Sequence, residues 1–250
     1  MLPPRAPLPT IDPADYAARI AIVVPYRDRQ QHLARFLPHL VTFFERDPLA
    51  RAIPYEIHIV EQIPGGRFNR GALKNAGFAL AHRHADCVVF HDVDYLPVWA
   101  DYSRVHCPTS LIAYGIEGAT DVATETPGCV VAMPVADFLR INGYSNDYTG
   151  WGYEDLDLQE RIARAGLAWA KRDGTFSALP HPHHGLDAEG RLGAEGRHTR
   201  AIFKGKLSLG NAGFGPEGLS TLSFRVEAMM QWSRNGVVQP QIMLHRVALG

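Results

Sequence analysis

Five short clusters in this chain of 250 residues hold the side chains that could do chemistry. Asp92-Val93-Asp94 follows an apolar run. In extended backbone, carboxylates at i and i+2 point the same way, so both can face one hard cation. His181-Pro182-His183-His184 is held extended by Pro180 and Pro182, so imidazoles at i and i+2 can converge on a metal. One carboxylate with two imidazoles suits Mn²⁺ or Zn²⁺ better than Mg²⁺ or Ca²⁺. Gly150-Trp151-Gly152-Tyr153-Glu154-Asp155-Leu156-Asp157 pairs two glycines, which let backbone approach a ligand closely, with an aromatic face and an acidic run opening a helix. Pro25-Tyr26-Arg27-Asp28-Arg29 and Arg67-Phe68-Asn69-Arg70 put arginines ahead of predicted helices, a setting for an anion or nucleotide. Each cluster also has an ordinary reading: solvated loop aspartates, a polar histidine-rich loop, a helix cap, surface arginines.

The elements that must position these clusters follow from patterning. Ile20–Tyr26 is a short, continuous β-branched run, as in a strand covered on both faces. Residues 28–44 carry Leu33, Phe36, Leu37, Leu40 and Phe43 at helical spacing, with Pro38 expected to kink the helix. Residues 55–60 form a second strand. Residues 69–84 form a second helix with Leu73, Ala76, Gly77 and Leu80 on one face, and 87–90 a third strand. This alternation predicts βαβ units and a parallel sheet whose strand ends gather the ligand site on one edge. The second half is less regular. Strands are expected at 129–133, 222–226 and 241–247, and helices at 135–141 and 154–165. Residues 185–196 are rich in glycine and charge, which predicts a mobile loop able to close over a ligand. A Pro-rich arm is expected over 1–15, with one catalytic domain over 16–250. Its nucleotide-binding half spans about 16–100, and its acceptor and metal half 101–250.

Composition narrows the class. Twenty-five Lys and Arg against 26 Asp and Glu leave a formal charge of −1, without the basic field that nucleic-acid binding uses. Hydrophobic residues at 46% and charged residues at 20% are globular proportions. No apolar run approaches a membrane span, and the first ten residues lack a signal-peptide core, so only peripheral membrane contact is compatible. Three unpaired cysteines, Cys87, Cys107 and Cys129, predict a reduced, cytoplasmic protein.

Together and in order, V-P-Y-R-D-R, F-N-R-G-A-L-K-N-A-G-F, H-D-V-D-Y-L-P and I-N-G-Y-S-N-D-Y-T-G-W-G-Y-E-D resemble the β-1,4-galactosyltransferase family over residues 20–183, with a looser echo over 218–226. The H-x-H of His181 and His183 is most similar to members that transfer galactose to xylose in proteoglycan linkers. The resemblance implies a GT-A α/β fold, a mostly parallel central sheet flanked by helices. It implies UDP-galactose as donor, Mn²⁺ as cofactor, a saccharide or glycan acceptor and inversion at the anomeric centre. By position, Pro25, Tyr26, Arg27 and Arg29 would hold the uridine diphosphate with Phe68 and Arg70, and Asp92 and Val93 would lie against ribose and uracil. Asp94, His181 and His183 would ligate the metal, and Trp151 and Gly152 would contact donor phosphate and sugar. Glu154 would bind donor hydroxyls, and Asp155 would be the general base.

This sequence departs from the family pattern in three places. Leu156 stands where a further acceptor-contacting carboxylate is usual, and Cys129 takes one glycine of a pair. Thr126 lies near a position where an aromatic side chain limits the C2 substituent of the donor, so UDP-GalNAc is an expected second donor. Two other functions draw on the same residues: a metal-dependent hydrolase using the Asp/His cluster, and a catalytically silent UDP-sugar- or carbohydrate-binding module.

Overall fold

A computed structural model describes residues 12–112, 116–117, 128–172, 174–180 and 190–250. Its helices are α1 (Pro13–Ala17), α2 (Gln30–Arg46), α3 (Arg70–Ala81), α4 (Val135–Arg140), α5 (Glu154–Arg164) and α6 (Ala194–Ser208). Its strands are β1 (Ile20–Tyr26), β2 (Tyr55–Gln62), β3 (Cys87–His91), β4 (Tyr95–Ala100), β5 (Thr109–Ser110), β6 (Ile116–Glu117), β7 (Val130–Pro134), β8 (Ala170–Lys171), β9 (Gly174–Ala178), β10 (Phe224–Arg234) and β11 (Val237–Leu249).

The main sheet has eight strands in the order β10-β11-β2-β1-β3-β7-β5-β8. Strands β11, β2, β1 and β3 run parallel, while β10 and β7 add antiparallel to either side. A smaller sheet, β4-β9-β6, is separate. This is the expected α/β architecture, mixed but mainly parallel. The strands of the main sheet come from both halves of the chain, since β11 from the C-terminal end pairs with β2.

All seven residues of β1 are buried, because helices cover both faces. One face packs Ile20, Ile22 and Val24 with Phe36, Leu37, Leu40 and Phe44 of α2. The other packs Ala21, Val23, Val88 and Phe90 with α3, Phe138 of α4 and Leu158 and Ile162 of α5. Gly77 is required in this second layer: a Cβ there would stand 2.3 Å from Val23 Cγ1.

Several expected boundaries shift for identifiable reasons. Helix α2 continues through Pro38. The carbonyl that loses its partner belongs to exposed Ala34, where water can substitute. Strand β7 starts at Val130, not Cys129, because Cys129 is left-handed at φ 65° and cannot extend a strand. The late strands are much longer than expected and form one hairpin across Asn235 (φ 51°) and Gly236 (φ 81°), a two-residue turn the pattern Asn-Gly favours. The loop expected over 185–196 is corrected at its end. Ala194, Glu195 and Gly196 belong to α6, and residues 185–189 lie outside the described residues. Tertiary contact outweighs glycine's low helix propensity here: Thr199 Oγ1 donates to Trp151 O at 2.8 Å, and the Phe203 and Tyr153 ring centroids are 5.7 Å apart.

Candidate active site

Strands β1, β2 and β3 end on one edge of the sheet, and the segments that follow them carry Arg27, Arg70 and Asp92. Arg70 opens α3. Its neighbour Asn69 caps that helix, accepting from Ala72 N–H at 2.9 Å. Asn69 is tied in turn to the end of β2, since its N–H donates to Gln62 Oε1 at 2.9 Å. Its side-chain amide donates to Asn146 O at 2.7 Å. The turn at 144–146 comes close because Gly71 has no side chain; a Cβ there would sit 2.5 Å from Ser145 O. Helix α3 and the segment leading to α5 are thereby locked together. Gly150 N–H donates to Phe68 O at 2.7 Å and closes the same junction.

The result is a compact charge cluster. Arg70 donates to Asp92 Oδ2 at 2.7 Å, to Asp155 Oδ2 at 3.0 Å and to Glu154 Oε1. Glu154 is 3% exposed and Asp92 8%. The Asp155 side chain keeps 19% exposure, so it is the carboxylate of the three most open to a ligand. Burial opposes the charge on Arg70, but Asp92, Glu154 and Asp155 hold it well above the ordinary range. Burial, then the Glu154 charge, pushes Asp155 up to about 6. Burial likewise raises Asp92. Burial resists the charge of Glu154 too, yet Arg70 and Lys74 hold Glu154 below its ordinary value.

The other expected residues line the same edge or support it. Arg27 lies over the Phe68 ring at 5.2 Å and donates to Gly66 O at 2.7 Å, giving a guanidinium and an aromatic face side by side. Arg29 is half-buried at the start of α2. Pro25, Tyr26 and Val93 are buried and contribute shape rather than exposed surface; burial raises the Tyr26 hydroxyl. Trp151 is half-buried. Gly152 sits at φ +87° with open space where a Cβ would be, a backbone surface a ligand can approach. Cys129 O accepts from Asp92 N–H at 2.9 Å, and burial with the Asp92 charge pushes the Cys129 thiol to about 12.

Asp94 is half-buried, and its carbonyl accepts from Leu179 N–H at 2.7 Å, because β4 and β9 run antiparallel just there. The described chain therefore passes Asp94 at Leu179, two residues ahead of His181 in sequence. His181 and His183 themselves, like Thr126, lie outside the described residues. Among the described residues no group of three His, Cys, Asp or Glu could hold a metal. The donor chemistry of Asp94, His181 and His183 fits Mn²⁺, one hard oxygen with two imidazoles.

Two family models match: the N-terminal region of glycosyl transferase group 7 over residues 9–108, and the N-terminal domain of galactosyltransferase over 119–185. The chain belongs to the β-1,4-galactosyltransferase family. Beta-1,4-galactosyltransferase 5 of Mus musculus is 34% identical over 187 residues, 69% of this chain and 46% of that protein. Beta-1,4-galactosyltransferase 4 of Homo sapiens is 38% identical over 152 residues, 58% and 42%. The chain thus spans less than half the length of these curated relatives. The catalytic domain of Drosophila beta1,4-galactosyltransferase 7, solved with xylobiose, superposes with TM-score 0.72 at 25% identity, covering 94% of this chain and 95% of that one. A mutant of the same enzyme, with manganese, UDP-Gal and xylobiose, superposes at TM-score 0.73 and 24% identity, a likeness of fold.

In this galactosyltransferase-family chain the structure adds a residue that the motifs did not single out. Lys74 lies one turn beyond Arg70 on α3, buried at 1% exposure, with Nζ 3.6 Å from Asp155 Oδ1 and 3.9 Å from Asp92 Oδ1. The available signal was its i, i+4 spacing from Arg70, which puts both cations on one helix face.

Proposed function

We propose that this chain is an inverting galactosyltransferase, moving galactose from UDP-galactose to a hydroxyl of a saccharide acceptor with Mn²⁺ as its cation. The observation that carries this reading is Asp155: a partly exposed carboxylate, raised to about 6, at the start of α5 above the edge where Arg27, Phe68 and Asp92 gather. A base poised near neutrality is what an alcohol nucleophile needs. Family membership supports the donor, and the relatives' names support galactose. The Drosophila structures, holding xylobiose or manganese with UDP-Gal, support the acceptor class and the cation.

Each role follows from chemistry. Phe68 and Arg27 present a ring and a guanidinium to the nucleotide, and Arg29 adds positive charge for the diphosphate. Asp94, His181 and His183 would hold the cation, which when bound offsets the charge the diphosphate gains as it leaves. Asp155 takes the acceptor's proton on the face opposite the leaving group, which gives inversion. Arg70 fixes Glu154, leaving its remaining lone pairs for donor hydroxyls. Trp151 offers an aromatic face to the sugar, and Gly152 an open backbone. A metal-dependent hydrolase leaves Arg27, Phe68 and Trp151 without a task, and a silent binding module has no need of a base at about 6.

UDP-galactose turnover with Mn²⁺, screened against xylose, GlcNAc and glucose, tests the reading. Transfer to at least one sugar is expected. No transfer to any of them, with no thermal stabilisation by UDP plus Mn²⁺, overturns it. UDP-GalNAc in the same assay tests the second donor, and strict preference for UDP-galactose ends that idea. We further propose a reducing, cytoplasmic setting, supported by three free cysteines. No helix among the described residues is long and apolar enough to cross a membrane. Cell fractionation checks the setting, and recovery in an oxidising compartment would refute it.

A further inference from the structure

Lys74 has no part in the roles just described, yet it is the most deeply buried cation at the site. Among the described residues its Nζ makes one hydrogen bond, a long one of 3.4 Å to the Tyr144 hydroxyl, and it rests 4.6 Å from that ring's centroid. Toward the carboxylates it stands between two ion-pair partners, at 3.6 Å from Asp155 and 3.9 Å from Asp92, beyond hydrogen-bond distance of either. The oxygens it faces, Asp155 Oδ1 and Asp92 Oδ1, are both buried, and neither has a hydrogen-bond donor among the described residues. At these distances Lys74 acts on both carboxylates through its charge rather than through a hydrogen bond.

We infer that Lys74 is a positioning residue for transfer: its charge holds Asp155 Oδ1 turned inward and keeps that base ionised among neighbouring carboxylates. The inference rests on Asp155 being the base. The groups facing Asp155 are Arg70 and Lys74 from α3, Asp92 beyond β3, Cys129 ahead of β7, Tyr144 after α4, and Glu154 beside it on α5. Arg70 is already divided among three carboxylates. Without Lys74 it would face all three alone, and like-charge repulsion would favour a proton on Asp155. Asp155 Oδ1 is buried toward Lys74, while Oδ2 accepts from Arg70 at 3.0 Å, so each oxygen is fixed by one cation of α3.

The test compares Lys74→Gln, Lys74→Met and Tyr144→Phe in the full chain, measuring the pH dependence of kcat for UDP-galactose with Mn²⁺ and the sugar the screen identifies. Loss of a cation within 4 Å should move the acid limb of kcat up by about one pH unit or more. Donor KM should stay within about twofold, and most of kcat should return at high pH, which a merely structural lysine would not give. Tyr144→Phe keeps the charge but frees Nζ to turn toward Asp155 and Asp92, and should move the limb a few tenths of a pH unit down, opposite to the lysine variants. If neither lysine variant folds, Tyr144→Phe decides alone. An acid limb unmoved in every variant that folds overturns the inference. Asp155→Asn separates this from the underlying reading. If that variant is inactive while Lys74→Gln titrates like the parent, only the role of Lys74 fails. If Asp155→Asn keeps its turnover, the base assignment fails and takes this inference with it.

Discussion

Helix α5 carries two buried charge clusters barely a turn apart, and they are built to opposite standards. The first, at Glu154 and Asp155, meets Arg70, Lys74 and Asp92 and leaves two carboxylate oxygens without a donor among the described residues. The second centres on Asp157 and Glu217. Asp157 Oδ1 accepts from Arg161 at 2.5 Å and Oδ2 from the Tyr148 hydroxyl at 3.1 Å. Glu217 accepts from Lys206 at 2.6 Å, from Arg161, and from Asn146 N–H at 2.6 Å. Lys206 also donates to Ser145 Oγ at 2.7 Å. Every carboxylate oxygen in that second cluster has a partner. Burial resists the charge on Glu217, but Arg161 and Lys206 hold it below the ordinary range, whereas Asp155 is raised. The difference separates two uses of buried charge. A satisfied network ties α5, α6 and the 145–148 turn into one scaffold, and an unsatisfied one stands ready for a ligand and a proton.

The comparison can be broken most sharply at its two centres. Asp155→Asn should lower kcat about 10²- to 10⁴-fold while UDP binding and thermal stability hold, read by transfer assay, calorimetry and melting. Arg161→Met should do the reverse, costing about 3–5 kcal/mol by leaving Asp157 and Glu217 buried with less positive charge. For a chain of this size that is a fall in Tm of about 6–20 °C, with activity per folded molecule largely retained. A large kcat loss in folded Arg161→Met would merge the two clusters into one functional unit.

The pH dependence sharpens the same contrast. Asp155 takes up its proton as pH falls through about 6, so kcat should drop about tenfold per pH unit below that point. Stability has a different acid limb. His91 and His245 are buried neutral, each lowered to about 4 chiefly by burial. The unfolded chain therefore binds more protons between about 4 and 6.5, and stability is lost as pH falls through that window and is full above it. Activity should thus respond to acid with a single-site limb near 6 in protein that is still folded, checked by kcat and melting on the same samples. The smallest expected effect is Tyr148→Phe. It removes one hydrogen bond to Asp157, costs about 1 kcal/mol in thermal unfolding, and leaves kcat unchanged.

Much of this was legible from residue order. A continuous β-branched run gave β1, alternation gave β2 and a short apolar run gave β3, while helical spacing gave α2 and α3 and an acidic run marked the start of α5. The strand-end positions of Arg27, Arg70 and Asp92 followed from parallel topology alone. Helix α6 was hidden because its glycines and charges read as a loop, while the Thr199 and Phe203 contacts that hold it lie with residues nearly fifty positions earlier. The length of the β10–β11 hairpin was hidden because β10 is largely exposed and lacks alternation.

Sequence alone thus determined which residue types stand at the mouths of the parallel strands, since a chain must alternate strand and helix to cover both faces of such a sheet. Tertiary structure decided which of those charges are shared and which are left over. Arg70 meets Asp92, Glu154 and Asp155, from places 22 to 85 residues away, only because Gly71 lets the turn at Ser145 close on α3. The electrostatics of Asp155 depend on burial and on distances of a few ångströms between segments remote in sequence, and no local pattern encodes those distances.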